Sequence, residues 1–342
     1  MTHFLKKILN NLPWVFVIIA LVFLGKGHFK LKKEIALLQP KLEKFEKSEN
    51  NINSLVDTFN LFDSEEIIHE KLDKLDFISN EVLQKGSLEM KKNRAIFTGI
   101  TRDNGEYLPS LIKMIEHLGN NFADYRVILF ENDSSDTTKM ILKYWSHINP
   151  KIKIISKNFH NVKRPSIKFM AEARNYYVNE LNKEEYDSFD LVIPVDMDMK
   201  YGIDIRGIQD SFSKSHQWDA VCSNGISNSK GEMYDAFAFR SEEFPYSPKE
   251  YGEKYNKNYW DFRGNISNIQ RVYNPKGDLI KVNSCFGGLA IYKKSLFKEC
   301  DYDSDGDCEH VFLHKCMKSK YDARIFMNPA QIMRYLHYKD KK

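Results

Sequence analysis

Several things are scarce in this 342-residue chain, and each scarcity closes off a class of protein. Charge of one sign is missing. The 51 basic and 47 acidic residues leave a net +4, and the lysines are scattered rather than gathered in a patch, so no nucleic-acid partner is expected. Cysteine is sparse, with five residues, all at or after Cys222, and no pair has the CxxC spacing of a zinc or redox motif. Two readings of them stay open: inert buried thiols, or a Cys300–Cys308 disulfide in an oxidising compartment. No internal repeat is present, and no uncharged apolar run reaches the ~20 residues that span a typical bilayer core.

The nearest approach to such a run is residues 12–25, LPWVFVIIALVFLG. Phe4, Leu5, Ile8 and Leu9 extend its apolar face backwards, and Lys6, Lys7 and Lys26 can snorkel to the two interfaces. No small-x-small cleavage site follows it, which favours a single-pass anchor over residues 1–28 rather than a removed signal peptide. Lysines flank both ends. The heavier cluster, Lys26, Lys30, Lys32 and Lys33, leans toward a cytoplasmic C-terminal domain. Residues 29–92 read as a helical stem. Leu31, Ile35, Leu38, Leu42, Phe45, Ile52, Val56 and Phe59 trace a heptad-like seam interrupted by Pro40 and Glu49. The seam serves either homo-oligomerisation or packing of an amphipathic helix on the domain that follows, and Pro40 favours the second.

From residue 93 to 342 the texture is that of one α/β domain. Residues 95–100, 126–130, 152–155 and 189–195 read as strands, alternating with helical sequence over 108–118, 138–145 and 166–181. That alternation predicts a mostly parallel sheet covered by helices on both faces, with ligands beyond the carboxyl ends of its strands. Polar loops fall at those ends: TRDN with Thr101 and Arg102, ENDSSDTT with Glu131 and Asp133, and DMD with Asp196 and Asp198.

Carboxylates at i and i+2 point to opposite faces of an extended strand, so the chain must turn for Asp196 and Asp198 to serve one site. A diphosphate ester would be repelled by this pair unless a hard divalent cation, Mn²⁺ in preference to Mg²⁺, lay between them. His337 is the expected third ligand, with His314 a weaker competitor. Glu131 is expected to hydrogen-bond a nucleotide base or ribose, while Asp136 or Ser134 caps the next helix. Arg174 suits bidentate contact with phosphate oxygens or support of the DMD carboxylates; the plainer reading is a surface pair with Glu172 or Glu180. Gly287 and Gly288 would let backbone approach an acceptor, or would simply turn into a strand. Glu309 or His310 is a candidate general base or acceptor-positioning group.

The order of these motifs resembles the GT-A fold of nucleotide-sugar-dependent glycosyltransferases over roughly residues 94–338: ITRDNGEYLPSLI, ENDSSDTT, Ala173-Arg174-Asn175, VDMD, FGGLAIYK and DCEHVFL in sequence. More narrowly, ENDSSDTT, SNG with YDAFAFR, and FGGLAIY with CEHV resemble the fungal capsule-associated α-1,3-mannosyltransferase family. The resemblance implies a membrane-anchored enzyme with GDP-mannose as donor and a glycan or other acceptor. It further implies Asp198 directly at the metal, Asp196 at the ribose or the metal, His337 completing the metal shell, Glu131 at the nucleoside and Arg174 at the phosphates, with Thr101, Arg102 and Asp133 among the nucleotide-sugar contacts. Asn224, Asp235, Gly287 and Gly288 would lie on the acceptor side. His310 stands where inverting enzymes of this fold carry an aspartate base, which is compatible with retention of configuration. A Golgi-lumenal domain follows from the family resemblance. The NDS sequon at Asn132, in the nucleotide loop, and the NIS sequon at Asn265 bear on the alternative, a cytoplasmic domain, since a glycan on Asn132 would obstruct that loop. Two rivals differ in class: a sugar nucleotidyltransferase, disfavoured because TRDNGEY holds a single glycine, and an inactive membrane-tethered scaffold, disfavoured by intact acids at three strand ends.

Overall fold

A computed structural model describes residues 75–159, 166–199, 203–227, 232–257 and 273–335. The anchor expected over 1–28, the heptad-like seam, Asn265 and His337 lie outside these residues. Among the described residues no helix is long and apolar enough to cross a membrane.

The described residues open with α1 (Asn80–Met90), capped by the Ser79 side chain, which accepts from the Val82 N–H. This helix ends the sequence read as a stem, and it lies against the α/β body. At Gly86 a Cβ would stand 1.9 Å from the carbonyl oxygen of Gln209, so the small residue permits a close crossing that Ala would block. Leu75 and Ile78, just ahead of the helix, cluster with Ala330 and Ile332.

Next come β1 (Arg94–Thr101), α2 (Leu108–Gly119), β2 (Asp124–Asn132), α3 (Thr138–Ile148), β3 (Ile152–Lys157), α4 (Ile167–Leu181) and β4 (Leu191–Pro194). β1 is buried almost throughout and β4 entirely, the mark of central strands covered on both faces. β1 pairs in parallel with β2 and with β4, and β2 with β3. The register sets Thr101 beside Glu131, and Glu131 beside Ser156, so the polar strand ends form one row.

The second half adds α5 (Ile205–Ser213), β5 (Ala220–Ser227), β6 (Glu232–Met233), α6 (Pro248–Tyr255), β7 (Ile280–Lys281), β8 (Ala290–Lys293), α7 (Glu309–Tyr321) and β9 (Ile325–Tyr335). Among the described residues the sheet runs β3-β2-β1-β4-β8-β5-β9-β7, with β6 on β5. It is mixed rather than mostly parallel. Four pairings are parallel and four antiparallel, with β8 running antiparallel to both its neighbours, β4 and β5.

The cysteines correct one expectation. Cys300 pairs with Cys316 rather than Cys308, and Cys222 pairs with Cys285. Cys308 alone is a free, buried thiol. α7 explains the choice: Cys308 is its N-cap and points inward, whereas Cys316 lies two turns along the helix, facing the Cys300 loop.

Candidate active site at the strand ends

β4 stops at Pro194, which has no N–H for the ladder. Val195 still donates to the Thr98 carbonyl at 2.8 Å, after which Asp196 donates to the Gly288 carbonyl at 2.8 Å. The chain turns at this point, burying Met197 at 2% exposure. The required turn is therefore present, and both Asp196 and Asp198 face one cavity of about 390 Å³, a volume in the range of small-molecule sites. Thr101 and Arg102 from the end of β1, Asn132 from β2, Arg174 from α4, and Glu309 and His310 from the start of α7 share its wall.

Arg174 is the electrostatic centre. It is 2% exposed, and its Nε donates to Glu309 Oε1 at 3.1 Å while Nη2 stands 3.5 Å from Asp196 Oδ1. The alternative of a surface pair with Glu172 or Glu180 is overturned: Glu180 binds Lys153 and Lys183 instead. Phe286 and Tyr302 flank the guanidinium, their ring centroids 5.3 and 5.5 Å away. Burial opposes the Arg174 charge, but Tyr177, Glu309, Tyr302 and Asp196 outweigh it and hold the guanidinium protonated. Its Nη1 is buried without a partner. Neighbouring Asn175 braces the wall, donating to the Tyr302 carbonyl at 2.8 Å and accepting from its N–H at 2.9 Å.

Four carboxylates line the cavity, Asp196, Asp198, Asp235 and Glu309, against Arg102 and Arg174. Burial pushes Asp198 up to about 7, and the Asp196 charge adds to the shift. Burial also raises Asp196, against the pull of Arg174, and raises Asp235 well above the usual range, with Asp196 contributing. This excess of hard oxygen donors fits a divalent cation. Among the described residues, however, no three His, Cys, Asp or Glu side chains form a ready-made cage.

His310 is stacked on Phe286, centroids 4.0 Å apart, with Tyr302 edge-on at 5.4 Å. Both ring nitrogens are buried and unpartnered. Burial, then Arg174, push its pKa well below the ordinary value, so the ring is neutral at physiological pH. His314 is no ligand candidate: its nitrogens face Tyr292 Oη at 2.8 Å and Ser284 Oγ at 2.9 Å.

Other expected site residues are held by the protein itself. Glu131 is 1% exposed; Oε1 accepts from the Ser134 N–H at 2.9 Å, and Oε2 accepts from the Ser156 hydroxyl. It orders its own loop, and Asn132 reaches the cavity in its place. Asp133 accepts from the Phe159 N–H at 2.9 Å, away from the cavity wall. Asp136 caps the start of α3, its side chain accepting from the Thr138 N–H at 2.9 Å and from the Gly105 N–H at 2.8 Å, whereas the boundary residue Thr137 makes no side-chain capping bond. Gly287 and Gly288 have φ of +66° and +87°, and the space beside them is filled. A Cβ on Gly287 would lie 2.1 Å from the Ser223 carbonyl, and one on Gly288 would lie 2.9 Å from Met199 Cε. Their close approach is thus to the chain's own backbone and core. Asn224 is 5% exposed, turned toward the Pro329 carbonyl at 3.4 Å. Asp235 does line the cavity, accepting from the Gly287 N–H at 3.3 Å. Tyr234, beside it, escaped the sequence reading; its hydroxyl donates to Asp196 Oδ2 at 2.8 Å.

Comparison with solved structures finds distant likenesses. The mannosyltransferase PcManGT from Pyrobaculum calidifontis, in complex with GDP-Man and Mn²⁺, is 10% identical with a TM-score of 0.44, over 72% of this chain and 57% of that one. S. aureus TarS 1-349 in complex with UDP is 13% identical with a TM-score of 0.44, over 72% and 60%. GalNAc-T7 with UDP, GalNAc and Mn²⁺ is 13% identical with a TM-score of 0.42, over 72% and 44%. The chain thus spans 57–60% of the length of the first two. No curated protein matches it by sequence. The family model described as Cryptococcal mannosyltransferase 1 matches residues 96–328, the strands, the site and most of the α/β body together, and the chain belongs to that family.

Proposed function

We propose that this chain is a metal-dependent glycosyltransferase that moves mannose from GDP-mannose to a glycan or similar acceptor, with retention of configuration. The observation carrying this reading is the cavity at the ends of β1, β2 and β4, where one buried arginine with an unpartnered Nη1 faces two carboxylates on a turn. Family membership supports the mannosyl donor.

Asp196 and Asp198 would hold Mn²⁺ or Mg²⁺, which when bound supplies positive charge to offset the departing diphosphate. Arg174 directs its free N–H toward the same leaving group, prepositioned by Glu309 and the Phe286 and Tyr302 rings. Asn132, Thr101 and Arg102 stand where the nucleoside end would lie. His310, neutral and wedged between aromatic rings, offers one donor and one acceptor to a sugar hydroxyl, and its depressed basicity makes it a weak general base. Glu309 is engaged by Arg174. A weakly basic His310 and a Glu309 already engaged by Arg174 support the retaining reading over base-assisted inversion.

Residues 1–28 are assigned to a membrane anchor on their sequence. The two disulfides favour an oxidising compartment for the catalytic domain, as the Golgi lumen would provide. The decisive experiment incubates the purified chain with GDP-mannose and with other GDP- and UDP-sugars, with Mn²⁺ or EDTA, and measures nucleotide release and metal-dependent thermal stabilisation. GDP-mannose turnover that EDTA abolishes and Asp198→Ala eliminates is expected. Absence of both turnover and stabilisation with every nucleotide sugar refutes the proposal.

A further inference from the structure

Asp196 is fixed at three points, and the third has no counterpart at Asp198. Its N–H is bound to the Gly288 carbonyl at 2.8 Å, Oδ1 faces Arg174 at 3.5 Å, and Oδ2 accepts the Tyr234 hydroxyl at 2.8 Å. We infer that Tyr234 is a positioning residue for Asp196, fixing the orientation in which this carboxylate meets a divalent cation. The inference rests on the function proposed above.

Tyr234 is itself well seated. Its N–H donates to the Gly225 carbonyl at 2.9 Å, and β6 immediately before it pairs with the end of β5 through Ile226 and Met233. Its ring stacks on Tyr335, the last residue of β9, with centroids 4.4 Å apart and planes 20° from parallel. Tyr335 in turn is registered with Ser227 of β5. The phenol therefore projects from the joined ends of β5, β6 and β9 toward the turn after β4 and ties the two halves of the sheet at the carboxylate. Each carboxylate oxygen has a second lone pair, so the Tyr234 and Arg174 contacts leave Asp196 able to bind a cation while limiting its rotation. Partners that orient a ligating group commonly change metal affinity by about 10- to 100-fold when removed.

Tyr234→Phe keeps the ring and its stacking and deletes only the hydroxyl. Mn²⁺ binding is titrated by the electron paramagnetic resonance of free Mn²⁺, with and without GDP, in wild type and variant, alongside metal-free melting curves. The variant should weaken Mn²⁺ binding about 10-fold or more while its metal-free melting temperature stays within about 2 °C of wild type. In turnover, the Mn²⁺ concentration for half-maximal rate should rise by the same factor, with most of kcat recovered at saturating Mn²⁺. Unchanged Mn²⁺ binding in the variant overturns the inference alone. Early melting of Tyr234→Phe also overturns it, in favour of a packing role. Failure of wild type to bind Mn²⁺ even with GDP removes the metal-dependent function, and this inference with it.

Discussion

Neutralising Asp198 should stabilise the metal-free protein and at the same time remove its response to metal. In the folded chain Asp198 keeps its proton up to about pH 7, because burial and the neighbouring Asp196 charge both oppose ionisation. An unfolded chain releases that proton near the ordinary 3.8. Over this interval the folded state binds more protons than the unfolded one, so stability falls as pH rises. The group's contribution is intact below about pH 4 and lost once the pH passes about 7. At roughly 1.36 kcal/mol per pH unit the ceiling is about 4 kcal/mol. Partial solvent access at the cavity wall reduces this, and an effect of about 1–3 kcal/mol at pH 8 is expected. For a domain of this size that is roughly 2–9 °C in melting temperature.

Asp198→Asn, measured with EDTA from pH 4 to 8, should therefore match wild type at pH 4 and gain on it steadily up to about pH 7. With GDP present throughout and Mn²⁺ at about 1,000 times its dissociation constant, wild type gains roughly 4.1 kcal/mol from the metal by mass action, and the variant gains almost nothing. The two proteins exchange rank between EDTA and metal. A variant less stable than wild type at pH 8 in EDTA would refute the charge-repulsion reasoning. One that retained the full metal shift would refute the assignment of Asp198 as a ligand.

Three further outcomes test separate parts of the structure. Arg174→Met leaves Glu309, 3% exposed, as an uncompensated buried charge and should cost about 3–5 kcal/mol in urea unfolding. Adding Glu309→Gln should restore at least about 1 kcal/mol, and strict additivity of the two changes would argue that the pair does not interact. Gly287→Ala meets both φ of +66° and a carbonyl at 2.1 Å and should cost more than about 2 kcal/mol, whereas Gly306→Ala, at φ +77° with nothing nearby, should cost only about 1 kcal/mol; equal costs would show that the crowding at Gly287 is relieved elsewhere. Non-reducing peptide mapping should recover the 222–285 and 300–316 cross-links, with Cys308 alkylated only after denaturation. A 300–308 peptide would contradict this pairing, and reduction of the 300–316 link, which closes a 16-residue separation, should cost about 3 kcal/mol.

How much of this was legible in the sequence depended on whether a residue's partner was local. The strands β1, β2 and β4 announce themselves as apolar runs, and the polar row at their ends follows from parallel pairing, which brings out Thr101, Asp196 and Asp198; Arg174, on helix α4, stands out only through the Ala173-Arg174-Asn175 motif. Its support of the DMD carboxylates is present in the contact with Asp196, but its pairing with Glu309 is not legible, since Glu309 is remote in sequence and nothing in AEARNYYVN separates a buried fork from a surface one. The second half of the sheet was harder because β6 and β7 are two residues each, too short for any period to register, and β8 returns antiparallel. Gly287 and Gly288 are expected to approach an acceptor, and the sequence has no way to say that Ser223 and Met199 occupy the space instead. Tyr234 illustrates the same limit. It sits in YDAFAFR beside an acid already suspected, yet only the meeting of β5, β6 and β9 brings its hydroxyl to Asp196. Site residues contributed by strand ends can thus be read from hydrophobic pattern, while the residues that orient them, as Tyr234 orients Asp196, come from long-range pairing.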